Sequence, residues 1–192
     1  MVDATENGQT TARSIAPDTE ITDSLDDVLR NDQIQGFALA TPAETHAELA
    51  IQAMQAGKDV FVEKPMALTL KDAEKMKKVA EETGRILMVG HLLEFHPAVL
   101  KLRETIASGE LGKINYIYSN RLNFGKVRTE ENALWSFAPH DVAVILRLMG
   151  QAPVEVSACG GSYLTKGIAD TTMSNLRFEN ESRAHIFVSW LH

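Results

Sequence analysis

Asp59-Val60-Phe61-Val62-Glu63-Lys64-Pro65 is an apolar run that ends in a carboxylate, an ammonium and a proline. A short apolar run of this kind reads as a strand of a buried parallel sheet. Pro65 has no N–H to give the ladder and stops the strand. Ligands of open α/β sheets collect at the carboxyl ends of such strands, which puts Lys64 where it points into a crevice. A strand end with a solvated lysine and a turn proline fits these seven residues equally well.

The flanking sequence sets this strand in a pattern. Upstream, Ala47, Ala50, Ile51 and Met54 fall at i, i+3, i+4 and i+7, so Glu44–Ala56 reads as an amphipathic helix closed by Gly57. Ile34–Ala40 is a strand candidate that ends at Thr41-Pro42. Strand, helix and strand with short links indicate a parallel crossover. The pattern repeats downstream. Leu70–Thr83 reads as a helix ended by Gly84, Ile86–Val89 as a strand ending at Gly90-His91, and Pro97–Ser108 as a helix with Pro97 near its first position. Ser24 caps a further short helix, and the first twenty or so residues are polar, with little to bury.

After Gly112 the pattern changes. Lys113–Phe124, Val154–Leu164, Asp170–Phe178 and Arg183–Leu191 read as strands, the last two joined by a hairpin loop at Glu179–Ser182. A helix opened by Pro139 and closed by Gly150 lies between the first two, with Val142, Ile145, Leu146 and Met149 on its core face. The expected fold is α/β: a partial Rossmann parallel sheet over residues 1–110, then an α+β domain with an open, mainly antiparallel sheet over 111–192.

Bulk properties narrow the function. The 192 residues are 44% hydrophobic and 23% charged, as in an ordinary globular protein. With 19 Lys and Arg against 26 Asp and Glu, the net charge of −7 gives no footprint for nucleic acid or an anionic membrane. No apolar run approaches the ~18 residues of a membrane span. Cys159 stands alone, which suits a reducing cytosol, and a cytoplasmic location is expected.

Polar, chemically capable residues recur at strand ends. Thr41-Pro42-Ala-Glu-Thr-His46 lies where a strand gives way to a helix, a place that presents free N–H groups to anions; a plain turn with a surface His46 fits as well. His91 ends its strand as Lys64 ends its own. Arg121 and Asn123 share a strand face and precede Lys126, Arg128 and Asn132, a cationic patch suited to phosphate or carboxylate, or simply a solvated face. Pro139 at a first helical position would place His140 in the first turn, where the helix dipole favours neutral imidazole while Asp141 opposes it; an exposed cap residue is the alternative. The sequence has no metal-ligand spacing, no nucleophile elbow and no G-x-G-x-x-G.

Ala40-Thr41-Pro42-x-x-x-His46, Glu63-Lys64-Pro65, Gly90-His91 and Pro139-His140-Asp141, in that order, resemble the Gfo/Idh/MocA oxidoreductase family over essentially the whole chain. Gly90-His-Leu-Leu-Glu-Phe-His-Pro97, Asn120-Arg-Leu-Asn-Phe-Gly125 and Leu134-Trp-Ser-Phe-Ala-Pro-His-Asp141 are most similar to the branch that oxidises C3 of UDP-N-acetylglucosamine or its uronic acid. The resemblance implies a Rossmann domain that binds NAD, with NADP less favoured, and a second domain through which subunits associate as a dimer or tetramer. It implies catalytic Lys64 and His140 and no metal. Asp3, Thr41, Pro42, His46, Glu63, Lys64, His91 and Trp135 are expected at the cofactor, and Lys64, Arg121, Asn123 and His140 at a nucleotide-sugar. Many members carry Asp four residues before the histidine, where this chain has Ser136. The family also opens with a strand, glycine loop and helix, so Val2-Asp3 reads as the tail of its second strand, with Asp3 the ribose carboxylate. The expectation is a chain shortened at both ends. Its alternatives are a non-catalytic remnant or scaffold, or a related sugar or inositol dehydrogenase.

Overall fold

The computed structural model describes residues 1–124, 127–129 and 131–192 and resolves into two compact units, Met1–Gly90 and His91–His192. In the first, Asp59–Val62 forms β2, the middle strand of a three-stranded parallel sheet. Its neighbours are β1 (Gly36–Leu39) and β3 (Leu87–Val89), with Leu39 opposite Val62 and Val62 opposite Val89. Helices α3 (Ala43–Gln55) and α4 (Leu70–Thr83) follow β1 and β2. Ala50 and Met54 of α3 and Met76 of α4 meet Leu39, Val60 and Val62 in one core. The apolar spacing therefore folds as helices, and the continuous apolar run as the central strand.

Two helices precede this sheet, α1 (Glu6–Ile15) and α2 (Leu25–Arg30). Helix α1 is a correction, since the polar N-terminus gave no apolar stripe to read. It buries only Ala12 and is held at its start by polar groups. Thr5 Oγ1 accepts from Gly8 N at 3.0 Å, and Asp3 Oδ1 accepts from Thr5 N at 2.8 Å and from the Thr5 hydroxyl at 2.7 Å. Asp3 N donates to the Thr22 carbonyl at 3.1 Å, which ties the start of the chain to the segment before α2.

The second unit begins with a 3₁₀ turn (Leu92–Phe95) and α5 (Pro97–Ala107), both packed on the long helix α6 (Ala133–Met149). The units thus part at Gly90–His91, whereas the sequence placed α5 with the first domain. A four-stranded sheet contains β4 (Tyr116–Leu122), β5 (Glu155–Gly161), β6 (Thr171–Arg177) and β7 (Arg183–Ser189) in the order β4-β7-β6-β5. The β5-β6-β7 meander is antiparallel, and β4 pairs with β7 in parallel. Ala133, Ala138 and Ile145 of α6 pack with Leu176, Ala184, Ile186, Val188 and Trp190 on one side of the sheet. Tyr116, Tyr118 and Met173 are exposed.

Helix α6 starts six residues earlier than expected. Asn132 caps it by accepting from Trp135 N at 3.0 Å, so Pro139 lies inside the helix rather than at its first position. Proline is an N1 residue by preference but is not confined there, and the side-chain cap sets the start. His140 consequently lies two turns into the helix, and the first-turn dipole argument does not apply to it. No helix among the described residues is long and apolar enough to cross a membrane.

The bonds from Thr5 hold the Asp3 carboxyl below its ordinary value. A depressed folded-state value contributes stability that is present above the unfolded value and lost as pH falls through the folded one. The N-terminal helix is therefore expected to loosen as pH drops below 3.8, read as faster amide exchange over residues 6–15. Asp3→Asn should show that loosening at neutral pH and lose most of the acid dependence.

Candidate functional site

Parallel strands in register bring the residues that follow them to one edge. Past β2, Glu63 N donates to the Leu39 carbonyl at 2.9 Å; past β3, Gly90 N donates to the Val62 carbonyl at 2.8 Å. Thr41, Glu63-Lys64 and Gly90 therefore stand beyond three adjacent carboxyl ends. The Glu63 carboxylate turns back to accept from Lys64 N at 3.3 Å. It also lies against Gly90, where an added Cβ would sit 3.1 Å from Oε1. Gly90 is buried, and its bare α-carbon makes room for that carboxylate. Lys64 is half-buried and leads into Pro65 through a cis peptide bond.

His46 is not a surface residue. It is 1% exposed, with Nδ1 2.8 Å from the Pro65 carbonyl oxygen and Nε2 2.9 Å from the Thr41 carbonyl oxygen. Thr41 itself is exposed, and its hydroxyl accepts from the Thr45 hydroxyl at 2.8 Å. Pro42 forms the N-cap position of α3 without a side-chain cap bond.

In the second unit, His91 and His140 come together edge to face, with ring centroids 6.0 Å apart and planes at 76°. Trp135 is 60% exposed on the first turn of α6, and Ser136 is buried beside it. Asp141 is 7% exposed and takes three donors: Arg121 Nε at 2.6 Å, Arg121 Nη2 at 3.3 Å and the Ser119 hydroxyl at 2.7 Å. The patch expected around Arg121 is in large part turned on its own surroundings. Arg121 forks onto Asp141, Arg128 pairs with Glu131 at 3.1 Å, and Asn132 caps α6. Asn123 is exposed just past β4, its backbone N–H donating to the Ser189 carbonyl at 3.1 Å. Lys126 and Gly125 lie outside the described residues.

The structure thus collects Thr41, Glu63, Lys64 and Gly90 in one unit and His91 and His140 in the other. Asp3 sits at the start of α1, where any side chain at Gly8 would collide with its carboxylate. Sequence reasoning missed the Ser119–Arg121–Asp141 network and the Glu94–Arg147 pair at 2.6 Å, which ties the 3₁₀ turn to α6. The i, i+2 spacing of Ser119 and Arg121 was visible, but nothing in the sequence aligned it with a residue twenty positions on.

Two family models cover nearly all of the chain. "Oxidoreductase family, NAD-binding Rossmann fold" matches residues 2–91, and "GFO/IDH/MocA C-terminal domain" matches 99–192. The chain belongs to the Gfo/Idh/MocA oxidoreductase family. It is 30% identical over 184 residues to 2,7-anhydro-N-acetylneuraminate hydratase of Mediterraneibacter gnavus, covering 91% of this chain and 49% of that one. It is 30% identical over 158 residues to UDP-N-acetylglucosamine 3-dehydrogenase of Acidithiobacillus ferrooxidans, covering 82% and 49%. The crystal structure of the WlbA dehydrogenase from Bordetella pertussis in complex with NADH and UDP-GlcNAcA is similar at a TM-score of 0.87 and 26% identity, over 100% of this chain and 58% of that one. The chain spans about half the length of the curated relatives it matches.

Removing the acceptor of a mostly buried network leaves its donors unpaired. Asp141→Ala is expected to destabilise the second unit by about 2 to 4 kcal/mol, somewhat under the cost for a wholly buried pair, because Arg121 keeps 33% of its side chain exposed. Glu131→Ala, which breaks a more exposed pair, should cost less than about 1 kcal/mol. Denaturant unfolding of both variants checks the contrast.

Proposed function

We propose that the protein is an NAD-dependent dehydrogenase that oxidises a sugar hydroxyl, C3 of a UDP-N-acetylhexosamine or its uronic acid being the substrate. The observation that carries this reading is Lys64 standing directly past the carboxyl end of the middle parallel strand, next to Glu63, whose carboxylate lies against Gly90. Family membership supports the oxidoreductase class. The substrate class draws support from relatives whose names include UDP-N-acetylglucosamine or whose structure holds UDP-GlcNAcA.

The strand-end edge suits a dinucleotide, since Thr41, Glu63 and Gly90 follow adjacent carboxyl ends of parallel strands, where ligands of open α/β sheets collect. When bound, NAD supplies the acceptor for the hydride removed from carbon. Thr41, Pro42, Glu63, Lys64, His91 and Trp135 are the residues assigned to holding it; His46 acts there through the backbone it binds. Asp3, a carboxylate whose ionised form is further favoured by the bonds from Thr5, is suited to ribose hydroxyls and favours NAD over NADP. Lys64 donates a hydrogen bond to the oxygen on which negative charge develops, and His140 accepts the proton of the reacting hydroxyl. The N–H groups of Arg121 not used on Asp141, together with Asn123, are assigned to substrate. A cytoplasmic homo-oligomer completes the proposal.

Two measurements test it. Calorimetric titration of the chain with NAD should give a dissociation constant on the order of micromolar, and no binding supports the scaffold reading. Lys64→Ala should lower NADH formation from a UDP-sugar by roughly 10²- to 10³-fold while leaving stability within about 0.5 kcal/mol. Turnover at the parent rate rejects the role of Lys64, and oxidation of free sugars or inositols without UDP points to a related dehydrogenase.

A further inference from the structure

His46 closes the first turn of α3 with both ring nitrogens facing backbone carbonyls, Thr41 at 2.9 Å and Pro65 at 2.8 Å. These carbonyls belong to different loops, the one leaving β1 and the one leaving β2. A carbonyl only accepts. The ring donates to both when both nitrogens carry protons; with one proton it donates to one carbonyl and turns a lone pair toward the other. Only the ring with both nitrogens protonated bonds both loops, and in either form, at 1% exposure, it presents nothing to a ligand.

Lys64 is the residue between two fixed points. On its N-terminal side the ladder holds Glu63 N on the Leu39 carbonyl at 2.9 Å, and Lys64 N donates to Glu63 Oε2 at 3.3 Å. On its C-terminal side is Pro65, whose ring fixes φ and whose carbonyl oxygen faces His46. With that oxygen held, the backbone that carries the Lys64 side chain has little room to turn.

We propose that His46 is a positioning residue: its ring ties the loop after β1 to the loop after β2 and so sets the direction in which the Lys64 ammonium is presented. The catalytic consequence rests on the role proposed for Lys64 above, whereas the positional claim concerns this chain alone. A histidine that merely fills the core would lower stability when replaced, without moving Lys64 more than other lysines.

The test uses the whole chain with its lysines reductively ¹³C-methylated, the Lys64 signal being assigned by its loss in Lys64→Arg. In His46→Ala the Lys64 methyl resonance should shift while those of exposed Lys71 and Lys78 stay in place. In His46→Gln, whose amide can donate to one carbonyl, it should return part of the way. The proposed turnover should fall about 10²-fold in kcat for His46→Ala with KM changed far less, as misplacement of a reacting group predicts, and recover in part for His46→Gln. A folded His46→Ala whose Lys64 signal is unmoved, or moves together with all lysines, overturns the inference, as does failure of both variants to fold. Full turnover in Lys64→Ala alongside a shifted Lys64 signal in His46→Ala rejects the dehydrogenase role and keeps the positional one. Loss of turnover in Lys64→Ala with an unmoved signal does the reverse.

Discussion

The hydrogen bonds that β2 makes on both of its edges set the register of the residues that follow the strands at the first unit's candidate site. Val60 N donates to the Ile86 carbonyl at 2.8 Å, Glu63 N to Leu39, and Gly90 N to Val62. Val60 and Val62 are buried in the core that α3 and α4 complete. A slip of one residue would turn both valines to the opposite face, so the packing that stabilises the sheet also sets the register of Glu63 and Lys64. Chemistry at the strand ends is therefore inherited from apolar contacts several residues away.

The second unit reaches the same end by different means. Its helix α6 lies across a sheet whose inward side is Ala184, Ile186 and Val188, an apolar bed with few directional contacts. Direction comes from polar groups placed at intervals along the helix. Asn132 caps its start, Asp141 is gripped from β4, Arg147 reaches Glu94, and Gly150 ends it in the left-handed conformation at φ 65°. Burial brings helix and sheet together, and these few bonds choose among the arrangements burial allows.

The parallel sheet was legible because its residues repeat local patterns: helical spacing in Ala47 to Met54, an apolar run at 59–62, and glycines after each helix. What was not legible depended on partners distant in sequence. Helix α1 has almost nothing to bury and is nucleated by Asp3 and Thr5, short polar residues that occur as often in turns. Pro139 looked like a helix start, and only the Asn132 cap shows that the helix had begun before it. The parallel pairing of β4 with β7 is a choice made by the whole sheet. Family membership was readable from four short motifs, and the family models bear it out. The burial of His46 was not, since a histidine in a first helical turn ordinarily faces water.

Asp141 and His140 are adjacent on α6, and adjacent residues of an α-helix project about 100° apart around its axis. Asp141 can meet Arg121 and Ser119 together at only one rotational setting of the helix. The ion pair therefore acts as a detent: it stops α6 at a single azimuth, and the imidazole one position earlier is aimed by a bond in which it takes no part. Within this unit, the heading of His140 is written into β4.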